Sequence, residues 1–371
     1  MSQDETRRIE TLGTYSLLGR SGLRVSPLCL GTMTFGTEWG WGSPVEAARA
    51  IFNRYLEAGG NFIDTADGYT GGTSEEMLGR FIKETKSRDR VVLATKFTFN
   101  REPGNPNAGG NGRKNIYRAL EGCLRRLQTD YVDLFYLHAW DRITPVEEVM
   151  ETIDHLVGIG KVRYFGLSNT PAWYLAQAQT LAQLRGLARI AALQLEYSLV
   201  ERNIEREHVP AAIELGMGIC PWSPLASGFL SGKYRRGGAS LQGEGRLQKA
   251  WGAGNPAFDK NTDRNWQILD LLLKSARDLG HHPAQVALNW ITKRPGVVST
   301  IIGATTLPQL EENLMALEFE IPVEISIQLE EASRPELLYP YLFFAPVLQS
   351  RLHGQMTTRR TSEWYYPALD K

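Results

Sequence analysis

Asn61-Phe62-Ile63-Asp64-Thr65-Ala66 is a short run, apolar on both faces until Asp64 interrupts it. A buried parallel strand looks like this, whereas an antiparallel strand alternates more cleanly. The stretch that follows reads as a helix. Thr73 and Glu76 fit a capping box, and Met77, Leu78, Phe81 and Ile82 recur on one face. The same pair of patterns repeats outward along the chain. Further apolar runs stand at 28–33, 91–96, 132–138, 164–168, 192–197, 217–222 and 299–303, eight in all with 61–66. Between them, Ile116, Leu120, Cys123, Leu124 and Leu127 keep helical spacing. Thr144 with Pro145 and Glu147, and Thr170 with Pro171, read as helix starts, as do Pro283 and Thr306 with Gln309.

Strand then helix, eight times, predicts an α/β fold of the (β/α)8 TIM-barrel type. A doubly wound open sheet uses the same alternation, but no dinucleotide fingerprint follows the first run. The nearest approach is Gly252, Gly254 and Ala257, which contains Pro256 and follows no strand. Gly228, Gly232 and Lys233 fall one residue short of a P-loop, and Gly166, Ser168 and Thr170 miss a nucleophile elbow. Residues 15–18 and 23–26 flank Gly19–Gly22 and read as an N-terminal β-hairpin at the bottom of the barrel. Long loops at 36–44, 99–112 and 223–263 follow strands, on the face where barrel active sites lie. No linker divides the chain, so the expectation is one domain over 1–371. Its core spans about 17–320, and an aromatic tail at 335–371 carries Tyr339, Tyr341, Phe343, Phe344, Trp364, Tyr365 and Tyr366. That tail is expected to dock on its own barrel, with an oligomer contact or a pocket wall as alternatives.

Composition narrows the class. The 371 residues carry 41 Lys+Arg and 41 Asp+Glu, so no global basic field recruits nucleic acid or an anionic membrane. Three cysteines, Cys29, Cys123 and Cys220, sit in apolar runs and read as buried thiols of a reducing compartment. The polar first ten residues lack the apolar core of a signal peptide, and no run suits a bilayer, so a cytoplasmic location is expected. His281 and His282 are adjacent, no cysteine pair has zinc spacing, and no metal site is expected.

Four polar residues at or just past strand ends carry the chemistry: Asp64, Tyr69, Lys96 and His138. Each alone has an ordinary structural reading. The second, third and fourth strands are neighbours in a barrel, however, so the four side chains converge on one mouth. A lysine buried at a strand end needs a partner, and Asp64 on the adjacent strand supplies one. A phenol beside that ammonium has its ionised form favoured, below the usual value of about 10. It can therefore donate a proton near neutral pH. His138 can give a second hydrogen bond to the same oxygen. Protonating an oxygen in this way suits hydride delivery to the adjoining carbon, which no side chain can perform, so a nicotinamide or flavin is required.

These segments resemble the aldo-keto reductase superfamily. The matches are Leu30-Gly31-Thr32-Met33, Phe62-Ile63-Asp64-Thr65-Ala66 with Tyr69, Ala94-Thr95-Lys96 and Leu137-His138. They continue with Gly166-Leu167-Ser168-Asn169, Gln194, Glu196-Tyr197-Ser198 and Pro221-Trp222-Ser223-Pro224-Leu225. Gly228, Leu230, Gly232, Lys233, Tyr234, Ile302-Gly303, Gln309, Glu312 and Asn313 complete them over about 17–320. The resemblance implies a barrel reductase using NAD(P)H, with Tyr69 as general acid, Lys96 and Asp64 tuning it, and His138 orienting the carbonyl. It places Ser168, Asn169 and Gln194 on the nicotinamide carboxamide and Trp222 against its ring. Ser223, Pro224, Leu225, Ser227, Gly228 and Leu230 fall in the pyrophosphate loop. Ile302, Gly303, Thr305, Gln309, Glu312 and Asn313 fall at the adenosine end, and Gly31, Thr32 and Met33 line the cofactor site.

The chain looks closer to the branch of bacterial aryl-alcohol-dehydrogenase-like reductases and potassium-channel β subunits. There Lys233 and Arg246 would contact phosphate, which favours NADPH over NADH. Trp39, Trp41, Phe97, Trp140 and Trp222, with Tyr69 and His138, are expected to line a substrate pocket for flat apolar or aromatic carbonyl compounds. The partner expected is a small-molecule carbonyl substrate, with no nucleic acid or membrane. A keto-sugar reductase and a cofactor-binding regulatory subunit like the channel β subunits are the alternatives.

Overall fold

The computed structural model describes residues 10–237, 240–242, 247 and 259–356. Arg246, Gly252, Gly254, Ala257, Trp364, Tyr365 and Tyr366 lie outside the described residues.

Eight strands form one parallel sheet: β3 (Leu28–Gly31), β4 (Phe62–Asp64), β5 (Val92–Phe97), β6 (Val132–Leu137), β7 (Val162–Ser168), β8 (Ile190–Glu196), β9 (Gly218–Trp222) and β12 (Thr300–Ile302). Their order is β12-β3-β4-β5-β6-β7-β8-β9. Beyond it, Ile219 N–H donates to the Gly296 carbonyl and Val298 N–H to the Ile219 carbonyl, both at 2.9 Å, which brings the two ends together. Helices separate the strands, and the resulting TIM barrel has the strands where the apolar runs predicted them.

β1 (Ser16–Leu17) and β2 (Arg24–Val25) form the antiparallel hairpin. Leu18 and Val25 pack with the barrel's inner residues, and Arg20 N–H donates to the Gly216 carbonyl at 2.8 Å. The hairpin thus closes the N-terminal end. A small antiparallel pair, β10 (Arg235–Gly237) and β11 (Ser240–Gln242), follows β9.

Residues i and i+2 of a strand share a face. The barrel interior is filled by Cys29, Phe62, Ala94, Leu134, Tyr136, Ala192, Cys220 and Ile301. The other face of each strand packs on the helices through a larger apolar layer. Gly166 also faces inward, because a Cβ there would stand 2.3 Å from the Tyr136 ring. Only a residue without a side chain lets that ring cross the interior. All three cysteines are free and buried, as expected.

Some helix starts differ from the sequence reading. The helix Thr73–Thr85 is preceded by Gly72, and the Thr73 hydroxyl donates to Glu38 at 2.5 Å instead of capping. Helix Val146–Gly158 begins after Pro145, and the Thr144 hydroxyl donates to Asp141 at 2.6 Å. Helix Leu307–Leu314 does begin after Thr306, but Gln309 Oε1 accepts from Thr305. In each case a nearby side chain or loop competes successfully for the local cap.

The described part of the tail touches the barrel through Tyr341 Oη, which donates to Glu207 at 2.5 Å, and through Arg206 on the Glu336 carbonyl. Tyr339, Phe343 and Phe344 stay exposed, and no described residue of the tail lines the large cavity at the barrel mouth. No described helix is long and apolar enough to cross a membrane.

Candidate active site

The period that fills the barrel also builds its rim. Two residues beyond Phe62, Ala94, Tyr136, Gly166, Ala192 and Cys220 stand Asp64, Lys96, His138, Ser168, Gln194 and Trp222. Each therefore shares the inner face of its strand, at the C-terminal end. Strand register matches this, with Asp64 opposite Ala94, Lys96 opposite Tyr136 and Ser168 opposite Gln194.

Lys96 is fully buried, and its ammonium has three hydrogen-bond acceptors. Nζ donates to Asp64 Oδ1 at 2.5 Å, to the Thr65 carbonyl at 2.7 Å and to Tyr69 Oη at 3.1 Å. An ammonium has three N–H groups, so its donors are matched. Burial alone would lower its pKa, but Asp64 and then Tyr69 outweigh burial and hold it above the ordinary lysine value. The other Asp64 oxygen accepts from Gln194 Nε2 at 2.8 Å, so both carboxylate oxygens are satisfied. Tyr69 opens the short helical turn Tyr69–Gly72 after β4. That turn is held by the Thr70 hydroxyl, which donates to the Phe35 carbonyl at 2.8 Å.

The His138 ring lies 6.0 Å from the Tyr69 ring and 4.8 Å from Phe99, edge-on to both. Burial and then the Lys96 charge push its pKa well below 6.5, so the imidazole is neutral. Its Nδ1 is buried with no hydrogen-bond partner. An orphaned buried N–H is rarer in folded proteins than an under-satisfied acceptor. The proton is therefore assigned to Nε2.

A cavity of about 1890 Å³ runs from this cluster to the loop after β12. That exceeds the 300–1,000 Å³ or so of a site for one small ligand. At one end stand Trp39, Trp41, Tyr69, Phe99 and His138, with the Trp39 and Trp41 rings 5.6 Å apart. Gly31, Met33, Asp64, Ser168, Asn169, Gln194 and Trp222 also line the cavity. So do Ser223, Pro224, Leu225, Ser227, Gly228 and Lys233 of the loop after β9, and Ile302, Gly303, Thr305, Gln309, Glu312 and Asn313 after β12. Asn169 joins strands across the rim: Nδ2 donates to the His138 carbonyl at 2.9 Å, and Oδ1 accepts from Trp222 Nε1 at 3.1 Å.

Four expected lining residues lie elsewhere. Phe97 follows inward-facing Lys96, so it points outward, where it packs on Phe135 at 4.8 Å. Phe99, in the following loop, takes the place expected of it. Trp140 turns to Trp173 at 5.2 Å and Tyr174 at 6.3 Å. Thr32 is buried under the site, where its hydroxyl donates to the Asp64 carbonyl at 3.0 Å, and Leu230 is in the apolar core. Sequence reading also missed Thr34, Asn100, Arg101 and Pro103 in the cavity wall, because no strand period governs loop side chains.

The Aldo/keto reductase family model matches residues 27–334. The chain belongs to the aldo/keto reductase family. Among its relatives in that family, the uncharacterized oxidoreductase YrpG of Bacillus subtilis is 38% identical over 84% of this chain and 93% of its own. The norsolorinic acid reductase stcV of Emericella nidulans is 35% identical, covering 94% and 89% of the two chains. The aryl-alcohol dehydrogenase GME11368 of Pestalotiopsis microspora is 32% identical over 90% and 85%. The protein is thus an aldo/keto reductase-family oxidoreductase.

Proposed function

We propose that this protein reduces an aldehyde or ketone to an alcohol, with NADPH as reductant and Tyr69 as the proton donor. The observation that carries the reading is the Lys96–Tyr69 contact at 3.1 Å within the buried Asp64–Lys96–Gln194 network. The Tyr69 oxygen accepts from Lys96 and keeps its own proton to give. The ammonium then stabilises the phenolate left behind, which is how a tyrosine works as an acid near neutral pH. Neutral His138, with its proton on Nε2, donates to the same carbonyl oxygen and orients it.

The residues present fit a dinucleotide. Ser223, Ala226, Ser227 and Gly228 all have positive φ, and the loop closes on itself, with Ala226 N–H donating to the Ser223 carbonyl, Ser227 N–H to Ser223 Oγ and Gly228 N–H to the Leu225 carbonyl, while Ser223 and Ser227 line the cavity. Lys233 lies 3.1 Å from where a Gly228 Cβ would be and contacts no carboxylate among the described residues. That ammonium, with the Ser223 and Ser227 hydroxyls, suits a pyrophosphate. Trp222, held by Asn169, offers a flat face, and Ser168, Asn169 and Gln194 offer polar groups to a carboxamide. Thr305, Gln309, Glu312 and Asn313 would hold the adenosine end. When bound, the reduced nicotinamide supplies the hydride that reaches the carbonyl carbon.

Trp39, Trp41 and Phe99 make the substrate end flat and aromatic. This favours an aromatic carbonyl compound, and the aryl-alcohol dehydrogenase among the relatives supports the same class. The test is multiple-turnover oxidation of NADPH and, separately, NADH with 4-nitrobenzaldehyde. Sustained turnover that is faster with NADPH supports the reading. Consumption that stops at about one equivalent per chain would instead mark a cofactor-binding subunit.

A further inference from the structure

The backbone at Thr98 has a φ of 125°. Among the described residues, the other non-glycine residues with positive φ lie between 46° and 68°, in the ordinary left-handed region. For a β-branched residue a φ of this kind is a strained outlier, and it persists where the surroundings hold it. Thr98 directly follows β5. In a continued strand Phe99 would share the outward face of Phe97. The turn at Thr98 breaks that alternation, and Phe99 lines the cavity with its ring 4.8 Å from the His138 ring. Phe99 is 52% exposed, so burial of its own ring does not keep it there.

Polar groups hold the strained residue instead. The buried Thr98 hydroxyl donates to Asn111 Oδ1 at 2.6 Å and accepts from the His138 N–H at 3.2 Å. The Thr98 carbonyl accepts from the Gly110 N–H at 2.7 Å. Asn111 is buried as well. Its Nδ2 donates to the Ala139 carbonyl at 3.0 Å, and its N–H donates to Asp141 at 2.8 Å. One amide side chain thus ties Thr98 to the far end of its own loop and to the loop after β6. The His138 N–H also donates to the Phe97 carbonyl at 3.1 Å, so it keeps a partner without Thr98. Removing the Thr98 hydroxyl would leave Asn111 Oδ1 buried without this donor, and would take away a bond that offsets the strain.

We propose that the Thr98–Asn111 hydrogen bond sets selectivity for aromatic carbonyl compounds by holding Phe99 beside His138 in the cavity wall. Neither Thr98 nor Asn111 lines the cavity, so both are positioning residues that act through Phe99. This rests on the reductase reading above and names what fixes its substrate wall. The latch acts on binding and leaves the proton transfer at Tyr69 unchanged.

The experiment measures NADPH-dependent turnover of 4-nitrobenzaldehyde and of propanal. It uses the wild type, Thr98→Val, Thr98→Ser, Phe99→Ala and the double variant Thr98→Val with Phe99→Ala. Thr98→Val keeps the branched shape and lacks the hydroxyl. It is expected to raise KM for 4-nitrobenzaldehyde about fivefold, the scale of one aromatic contact. Its kcat for both aldehydes and its KM for propanal should stay within about twofold of the wild type, the mark of a lost binding contact. Thr98→Ser keeps the hydroxyl and should behave as the wild type. Phe99→Ala should raise the aromatic KM at least as much as Thr98→Val, and the double variant should add nothing to it. A rise shared by propanal, a further rise in the double variant, or a Thr98→Ser as impaired as Thr98→Val would overturn the proposal. Should Thr98→Val not fold, Thr98→Gly replaces it under the same criteria, because glycine takes this φ without strain and also lacks the hydroxyl. If the wild type turns over neither aldehyde, the reductase reading fails separately. Calorimetric titration of the same full-length proteins with 4-nitrobenzyl alcohol then decides. A loss of about fivefold in Thr98→Val, absent in Thr98→Ser and not enlarged by adding Thr98→Val to Phe99→Ala, upholds the latch, and any other pattern overturns it.

Discussion

The Lys96 ammonium and the Tyr69 hydroxyl are 3.1 Å apart, although they come from different strand–loop units. Asp64 and the Thr65 carbonyl take the other two ammonium protons, so Lys96 has no freedom to turn away. The buried ion pair thereby aims a positive charge at one phenol. Such pairs add little net stability, but losing one partner strands the other.

Lys96→Met should accordingly do two kinds of damage. It leaves Asp64 buried without its cation, which costs about 3–5 kcal/mol of stability. The double variant Lys96→Met with Asp64→Asn should recover part of the stability and none of the activity. Urea unfolding with parallel kinetics reads both. The pH dependence has a definite sign. Lys96 has a raised folded pKa, so its stabilising contribution is whole below the unfolded value of about 10.5 and is lost as pH rises through the folded value. The wild type should therefore lose stability above about pH 10.5 relative to the double variant.

His138 makes the opposite prediction at acid pH. Its folded pKa lies well below 6.5, so the unfolded chain takes up a proton first as pH falls. Stability is full above about pH 6.5 and drops by about 1.4 kcal/mol per pH unit below it until the folded pKa is reached. Subtracting the unfolding profile of His138→Asn from the wild-type profile should isolate that slope. A difference that is flat between pH 6.5 and 5 would mean the buried imidazole is already charged.

Lys233 should matter to cofactor affinity and little to stability. Lys233→Ala is expected to weaken NADP⁺ binding about tenfold, with a shallower dependence on salt, because one cation facing phosphate is removed. Fluorescence titration of the wild type and variant at two ionic strengths measures both effects. An unchanged dissociation constant would place the phosphates elsewhere.

The barrel is legible in the sequence because buried parallel strands are apolar on both faces, and the helices between them keep their own period. The rim is legible for a related reason. Asp64, Lys96 and His138 interrupt or end runs that a core alone would leave apolar. What the sequence conceals is which face a particular residue takes once a strand ends. Phe97 and Phe99 are two apart in the sequence, yet the first joins the helix layer as a strand residue and the second is placed by its loop in the cavity wall. Trp140 likewise finds Trp173 and Tyr174, a choice made by tertiary packing. The partner taken by the second Asp64 oxygen is also hidden, since Gln194 lies 130 residues away and only barrel closure joins them.

The most direct test is Tyr69→Phe, assayed for NADPH binding and for turnover on the same preparation. The ring and its packing survive and only the hydroxyl beside Lys96 is lost. The dissociation constant for NADPH should stay within about twofold, while kcat falls by a factor of about 10² to 10⁴, the range for removing a general acid. A kcat within a few-fold of the wild type, with cofactor bound, would contradict the assignment of the proton to Tyr69 and with it the chemistry proposed for this rim.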